Sequence, residues 1–295
     1  MPTVYASLPL SGPAADLGRE LLSGAELALE EAGGGSVELL TLDTGGRERV
    51  GLAEDAARRA AEDPSALAYL GDVHSDQVAA SSRILGPAGL LQVAPVATWA
   101  ELGGPTLIRL LPNDRVGADA IADWLVKAGV TELLVVHDHD AGYGIPVGRM
   151  CADAARGRGL AVRSRPVWDQ DERAADDIGE AEAVLYVGVA GSGAEGMWHE
   201  LHALNPEMWL LGTEGVAARW LAKSLSPAVA ARTRFFLAPR EPFSFYGREA
   251  MALILDALAE GGEDRQAIVA TAQAKHVPTT AYGCLAVVDG ELVSA

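Results

Sequence analysis

Gly71 to Thr98, GDVHSDQVAASSRILGPAGLLQVAPVAT, places small polar residues where strands meet helices. The pattern is a strand end, a tight turn, a helix and a second strand closing on a polar residue. Ser75 stands where a helix cap belongs, ahead of the helical run Gln77 to Leu85. Thr98 follows the apolar run Leu90 to Val93, at the carboxyl end of a neighbouring strand. A helix amino terminus offers free N–H groups and a positive dipole end, which suit a carboxylate or phosphate. In an open parallel sheet the carboxyl edge of the strands is where ligands sit. The plainer reading gives Ser75 a capping role and Thr98 a strand end, and nothing more.

Four other signals invite chemistry. Gly191-Ser192-Gly193-Ala194-Glu195-Gly196 is a literal G-x-G-x-x-G between a strand and a helix, with Glu214 placed to take a ribose hydroxyl. Against a dinucleotide there, Glu195 would meet the pyrophosphate with no basic residue near to offset it, and 33 glycines make chance matches frequent. His137-Asp138-His139-Asp140 sets alternate ligands at a strand end, yet no further His or Cys cluster completes a zinc site, so a polar turn competes with it. His199-Glu200-Leu201-His202 spaces its histidines at i, i+3 rather than the i, i+4 of a zinc-protease helix and reads as a solvated helix face. Ser192 lacks the flanking glycines of a nucleophile elbow, since Ala190 and Ala194 stand there. No metal and no cofactor is called for.

A length of 295 residues fits two domains or one large α/β domain, and 49% hydrophobic residues supply a sizeable core. The net charge of −18 leaves no basic face for phosphates, which argues against a nucleic-acid partner. Cys151 and Cys284 lie far apart in unlike contexts and read as two thiols rather than a disulfide or metal pair. No apolar run reaches 18 residues, so no span is expected. The opening MPTVYASLPL enters a strand directly, with no charged n-region or cleavage site. Either the protein is cytoplasmic or a leader was removed ahead of this numbering.

These residues need a scaffold, and the chain supplies strict alternation. Strands are expected at Thr3–Leu8, Val37–Leu42, Ala66–Leu70 and Leu90–Val93, with helices at about 14–32, 47–62 and 77–85 between them. After the extended stretch 106–111 and the boundary Pro112-Asn113-Asp114, the alternation restarts. Strands are expected at 132–137, 160–167, 183–189, 208–211 and 234–237. Helices are expected at about 116–128, 145–156, 194–204 and 216–224, with a short solvated helix at 169–180. A boundary near Ala238-Pro239 precedes helices 245–260 and 265–275 and a last strand, Cys284 to Val288. Parallel sheets with right-handed crossovers and helices on both faces follow.

Set in order, several short motifs resemble the type I periplasmic binding proteins of the branched-chain amino acid (Leu/Ile/Val) group, the solute receptors of ABC importers. They are Ser11-Gly12-Pro13 with Ser23-Gly24-Ala25, Gly71-x-x-x-Ser75, and Ala94-Pro95-x-Ala97-Thr98. Arg109 with Asp114, His137-Asp138 with Tyr143-Gly144, and Gly212-x-Glu214-Gly215 continue the series. The resemblance implies a two-lobed α/β fold, with residues 1–113 and 239–279 in the first lobe and 114–238 and 280–295 in the second. Hinge closure on an amino acid follows from it. It implies that Ser75 and Thr98, with the backbone of Val96, hold the ligand's carboxylate and ammonium. Glu214 would reach the ammonium and Tyr143 would line the cleft.

Leu17 and Ala190 or Gly191 stand where the family carries bulky aromatics, which reshapes the side-chain pocket toward a branched-chain or larger, aromatic amino acid. Asp72 and His74 near the carboxylate turn could each pair with a polar ligand group. The implied partners are the amino-acid ligand and a membrane permease, with the receptor a monomer or weak dimer outside the cytoplasm. A cytoplasmic ligand sensor on the same fold and an NAD-dependent enzyme using Gly191–Gly196 remain as alternatives.

Overall fold

In the computed structural model, the described residues are 1–35, 37–140, 142–167, 178–189, 191, 193–238, 241–279 and 281–295. Most of the helix expected at 169–180, and the positions of Ala190 and Ser192, lie outside them. The chain divides into two compact units, Met1–Asn113 with Glu241–Thr279, and Asp114–Arg240 with Thr280–Ala295.

The first unit grows from β1 (Thr3–Leu8), in which every residue is buried. Its side chains alternate between two cores, as the period of a strand requires. Val4, Ala6 and Leu8 enter one core, and Tyr5 enters the other. After β1 come α1 (Ala15–Glu31), β2 (Glu38–Asp43), α2 (Val50–Glu62), β3 (Ala66–Leu70), α3 (Ser75–Leu85), β4 (Leu91–Ala94) and β5 (Leu107–Arg109). The sheet order is β2-β1-β3-β4-β5, with every pair parallel.

Helix α2 buries Ala53, Ala56, Ala57 and Ala60, a helical stripe of small residues, the last three of which share a core with Tyr5 and Tyr69. Its start falls three residues later than the sequence suggests. Ahead of it Asp43 Oδ1 gathers the amides of Leu10 (2.8 Å), Ser11 (3.2 Å) and Gly45 (2.9 Å), so a turn holds the chain there.

Two further helices complete this unit, α9 (Phe243–Gly261) and α10 (Arg265–Lys275). Helix α9 crosses α1 so closely that a Cβ on Gly24 would lie 1.8 Å from the Ser244 carbonyl oxygen, and one on Gly247 would lie 1.9 Å from that of Leu21. Glycine inside a helix costs about 1 kcal/mol of propensity, and here it allows backbone-to-backbone packing. Arg265 fastens α10 by donating to the carbonyls of Ala66 (3.0 Å), Ala88 (3.2 Å) and Asp63 (2.8 Å).

The second unit contains α4 (Asp114–Lys127), β6 (Glu132–His137), α5 (Gly144–Gly157), β7 (Ala161–Pro166), β8 (Ala183–Val187), α6 (Ala194–Leu204) and β9 (Trp209–Thr213). A 3-10 turn (Glu214–Val216), α7 (Arg219–Ser224), α8 (Pro227–Arg232), β10 (Thr233–Leu237), β11 (Gly283–Val288) and β12 (Glu291–Ser294) complete it. The sheet order is β12-β11-β10-β9-β8-β6-β7. Strands β6 to β10 pair in parallel, and β11 and β12 run antiparallel. Leu133 and Val135 pack with α4 and α5, while Leu134 and Val136 pack with α6, α7 and α8.

Three details differ from the sequence reading. The expected helix 216–224 is a 3-10 turn followed by α7. Helix α8 was not foreseen, although Ser226 caps it through Val229 N–H (3.4 Å) and Pro227 opens it. The final segment is a hairpin, turned at Asp289 (φ 51°) and Gly290 (φ 76°), the Asp-Gly pair that a two-residue hairpin loop favours. Among the described residues, no helix is long and apolar enough to cross a membrane.

Candidate functional site

In the first unit the candidate residues cluster at the carboxyl edge of β3 and β4. Ser75 is the first residue of α3 rather than its cap; His74 takes the cap position and makes no capping hydrogen bond through its side chain. Ser75 Oγ instead accepts from the amides of Thr98 (3.2 Å) and Trp99 (3.3 Å), tying the helix start to the segment after β4. Arg109 Nη1 donates to the Trp99 carbonyl (2.7 Å) and fixes that segment from the other side. Val96 and Leu17, both half-buried, pack against the same core.

The turn beneath Ser75 rests on a buried polar network. Asp72 is fully buried, and its Oδ1 accepts from Ser7 Oγ and from Tyr69 Oη (3.3 Å). Gln92 Nε2 donates to the Gly71 carbonyl (3.0 Å) and to Ser81 Oγ (2.8 Å). Burial pushes the Asp72 carboxyl up to about 6, against the hydroxyl donors that favour its charge. Asp72 therefore supports the turn from within, which corrects the reading that it could pair with a ligand side chain. His74 is half-buried with an unpartnered Nε2, and burial lowers its pKa.

In the second unit the candidates lie where β9 ends. Tyr143 caps the start of α5, and its Oη donates to Thr213 Oγ1 (3.1 Å) and accepts from Gly215 N–H (3.3 Å). Burial raises that phenol well above its ordinary pKa, with the Glu214 charge adding to the rise. Glu214 is half-buried at the head of the 3-10 turn. Its carboxylate accepts from Tyr282 Oη (3.4 Å) and from the Ala238 amide, and burial raises its pKa in spite of both donors. Among the described residues no cationic side chain pairs with it.

The sequence reading missed Tyr282. It stands directly before β11, and only the antiparallel course of that strand brings its start to the carboxyl edge of β10.

The competing motifs resolve into structural roles. Gly191 and Gly193 take positive φ angles of 95° and 100°, turning the chain into α6. The third glycine of a dinucleotide fingerprint permits close helix–strand packing, but a Cβ on Gly196 would meet no atom of the described residues within 4 Å. Glu214 engages Tyr282 rather than that turn. Asp138 is spent on the amides of Asp140 (3.1 Å) and Val189 (3.1 Å), and the His137 ring on the Asp138 carbonyl (2.8 Å). His199 is not the solvated residue expected of its helix face. Its Nδ1 bonds the Glu195 carbonyl (2.9 Å) and its Nε2 accepts from Ser226 N–H (3.2 Å), locking α6 to the cap of α8. Cys151 is buried in the core, and burial pushes its thiol up to about 12, so it is no nucleophile.

No curated protein sequence matches the chain. Several solved structures share its fold. A leucine binding protein from Thermotoga maritima MSB8 aligns at 19% identity with a TM-score of 0.78, covering 100% of this chain and 98% of that one. An ABC transporter substrate-binding protein from Desulfitobacterium hafniense in complex with Leu aligns at 17% identity with a TM-score of 0.78, over 100% and 99%. A solute binding protein from R. palustris in complex with benzoate aligns at 18% identity with a TM-score of 0.73, over 99% and 94%. A family model described as periplasmic binding protein matches residues 6–170, more than half of the sequence. With that match, and with the motifs in their order, the chain belongs to the periplasmic binding protein family, a family of binding proteins and not of enzymes.

Proposed function

We propose that this protein is the solute-binding receptor of an ABC importer, working outside the cytoplasm with a membrane permease, and that its ligand is an amino acid. The observation that carries this reading is Glu214: a half-buried carboxylate held by two neutral donors, with no cationic partner among the described residues. A carboxylate so held suits an ammonium, because a charge-assisted hydrogen bond gains strength where water is excluded. The complementary half is the Ser75 and Thr98 hydroxyls beside the start of α3, where a carboxylate gains both hydroxyl donors and the helix dipole. Tyr143 positions the Glu214 turn. Val96 contributes its backbone beside Thr98 and Leu17 supplies apolar surface, with His74, Ala190 and Gly191 assigned to the side-chain pocket. Leu17, in place of an aromatic, suits a branched-chain or larger apolar side chain. Two of the structural relatives hold different ligands, Leu in one and benzoate in the other, so an acid lacking the ammonium is the informative control.

A thermal-shift screen of the common amino acids, with benzoate and the matching des-amino acids alongside, tests the reading. Binding stabilises the folded state by mass action. A rise in Tm with one or more apolar amino acids and none with their des-amino counterparts is expected. A rise with benzoate alone overturns the amino-acid assignment.

A further inference from the structure

We infer that Tyr282 is a positioning residue for the Glu214 carboxylate, holding it ready for a ligand cation; the inference rests on the amino-acid reading above. Leu237 of β10 pairs with Gly283 of β11 at the end of their antiparallel ladder. The next residue outward on each strand, Ala238 and Tyr282, donates to the same carboxylate, one through its amide and the other through its phenol at 3.4 Å. The two donors therefore come from adjoining strand ends, and the acid is held by the edge of the sheet.

The phenol is itself held. A Cβ on Gly117 of α4 would fall 2.6 Å from Tyr282 Cζ and 2.7 Å from its Oη, so the ring occupies a notch that exists because residue 117 has no side chain. The ring also packs against the core that α4, α5 and β6 share.

The chemistry of the donor matters. An arginine or lysine at this position would orient Glu214 and also neutralise it, leaving little reason for a ligand ammonium to bind. A phenol orients the carboxylate and leaves its charge in place. Tyr143, on the other side of the 3-10 turn, is committed to Thr213 and Gly215 and fixes the backbone of the turn rather than the acid. The two tyrosines divide the work between backbone and side chain.

The test uses Tyr282→Phe and Gly117→Ala, the second displacing the ring while keeping its hydroxyl. In ligand-free protein, titration of the Glu214 carboxyl carbon by NMR reads the hydrogen bond directly. Both variants should titrate at higher pH than the wild type. Calorimetry with L-leucine against 4-methylpentanoate, and L-phenylalanine against 3-phenylpropanoate, reads the consequence. Affinity for the amino acid should fall about fivefold in Y282F, a loss within the ordinary range for one hydrogen bond. Affinity for the des-amino acid should stay unchanged. An unchanged Glu214 titration, or an equal loss for both members of a pair, overturns the inference. A wild type that favours the des-amino acids overturns the amino-acid reading and this inference with it. An amino-acid binder indifferent to Y282F overturns the inference alone.

Discussion

Thr98 and Ser75 lie 23 positions apart in the sequence and are joined by one hydrogen bond, from the Thr98 amide to the Ser75 hydroxyl oxygen at 3.2 Å. The Trp99 amide shares that acceptor at 3.3 Å. The serine thus serves as a clasp between the start of α3 and the segment after β4.

Removing that clasp should have two readouts. In Ser75→Ala the amides of Thr98 and Trp99 lose their acceptor, and their hydrogen exchange should quicken while that of β3 and β4 is unchanged. The affinity for the amino acid selected by the thermal screen should fall about tenfold, which corresponds to about 1.4 kcal/mol. Exchange-coupled NMR and calorimetry on the same variant measure both.

Glu214→Ala should weaken binding of a free amino acid by about 2 kcal/mol or more, since on the proposed reading the ammonium loses a charged partner. The matching des-amino acid should bind the variant as well as it binds the wild type, or better. Unchanged amino-acid affinity in calorimetry would show that the ammonium is held elsewhere.

Asp72 makes stability depend on pH. Burial raises its carboxyl from 3.8 to about 6 in the folded protein. The folded state therefore binds this proton more tightly than the unfolded chain does. The group's contribution is fully present below about pH 4, declines as pH rises, and is gone above about pH 6, a difference of about 3 kcal/mol. Asp72→Asn keeps an oxygen to accept from Ser7 and cannot ionise. Urea unfolding at pH 4 and pH 7 should show wild type losing stability relative to this variant as pH rises.

The α1–α9 contact gives a prediction away from the site. Gly247→Ala puts a methyl group 1.9 Å from the Leu21 carbonyl oxygen, and backbone cannot yield as a flexible side chain would. About 3 kcal/mol of destabilisation is expected, the upper part of the range for overpacked positions. A lowered urea midpoint with an unchanged slope would report it.

Much of the architecture was legible because periodicity carries it. The continuous apolar runs of β3 and β8 and the alanine stripe of α2 admit few other readings. The fate of each polar residue was harder to read, because it depends on what lies across the sheet. Nothing local distinguishes Asp72, turned inward to Ser7 and Tyr69, from an acid facing a ligand. Ser75 looked like a cap because caps and first-turn residues share the same side-chain types. Tyr282 was invisible for a topological reason: its partner stands 68 positions away, and the direction of β11 decides which end of the strand meets it. The Asp-Gly pair at 289–290 was a readable hairpin signal left unused.

The antiparallel strand β11 joins a unit whose parallel strands are made long before it, with α9 and α10 of the other unit intervening. During synthesis β10 must wait as an open edge, offering unpaired amides and carbonyls, until about fifty further residues have emerged. The acid at the β9 turn waits equally long for its phenol, so a chain arrested before residue 280 would carry every ligand-gripping group proposed above and still lack the strand that steadies one of them.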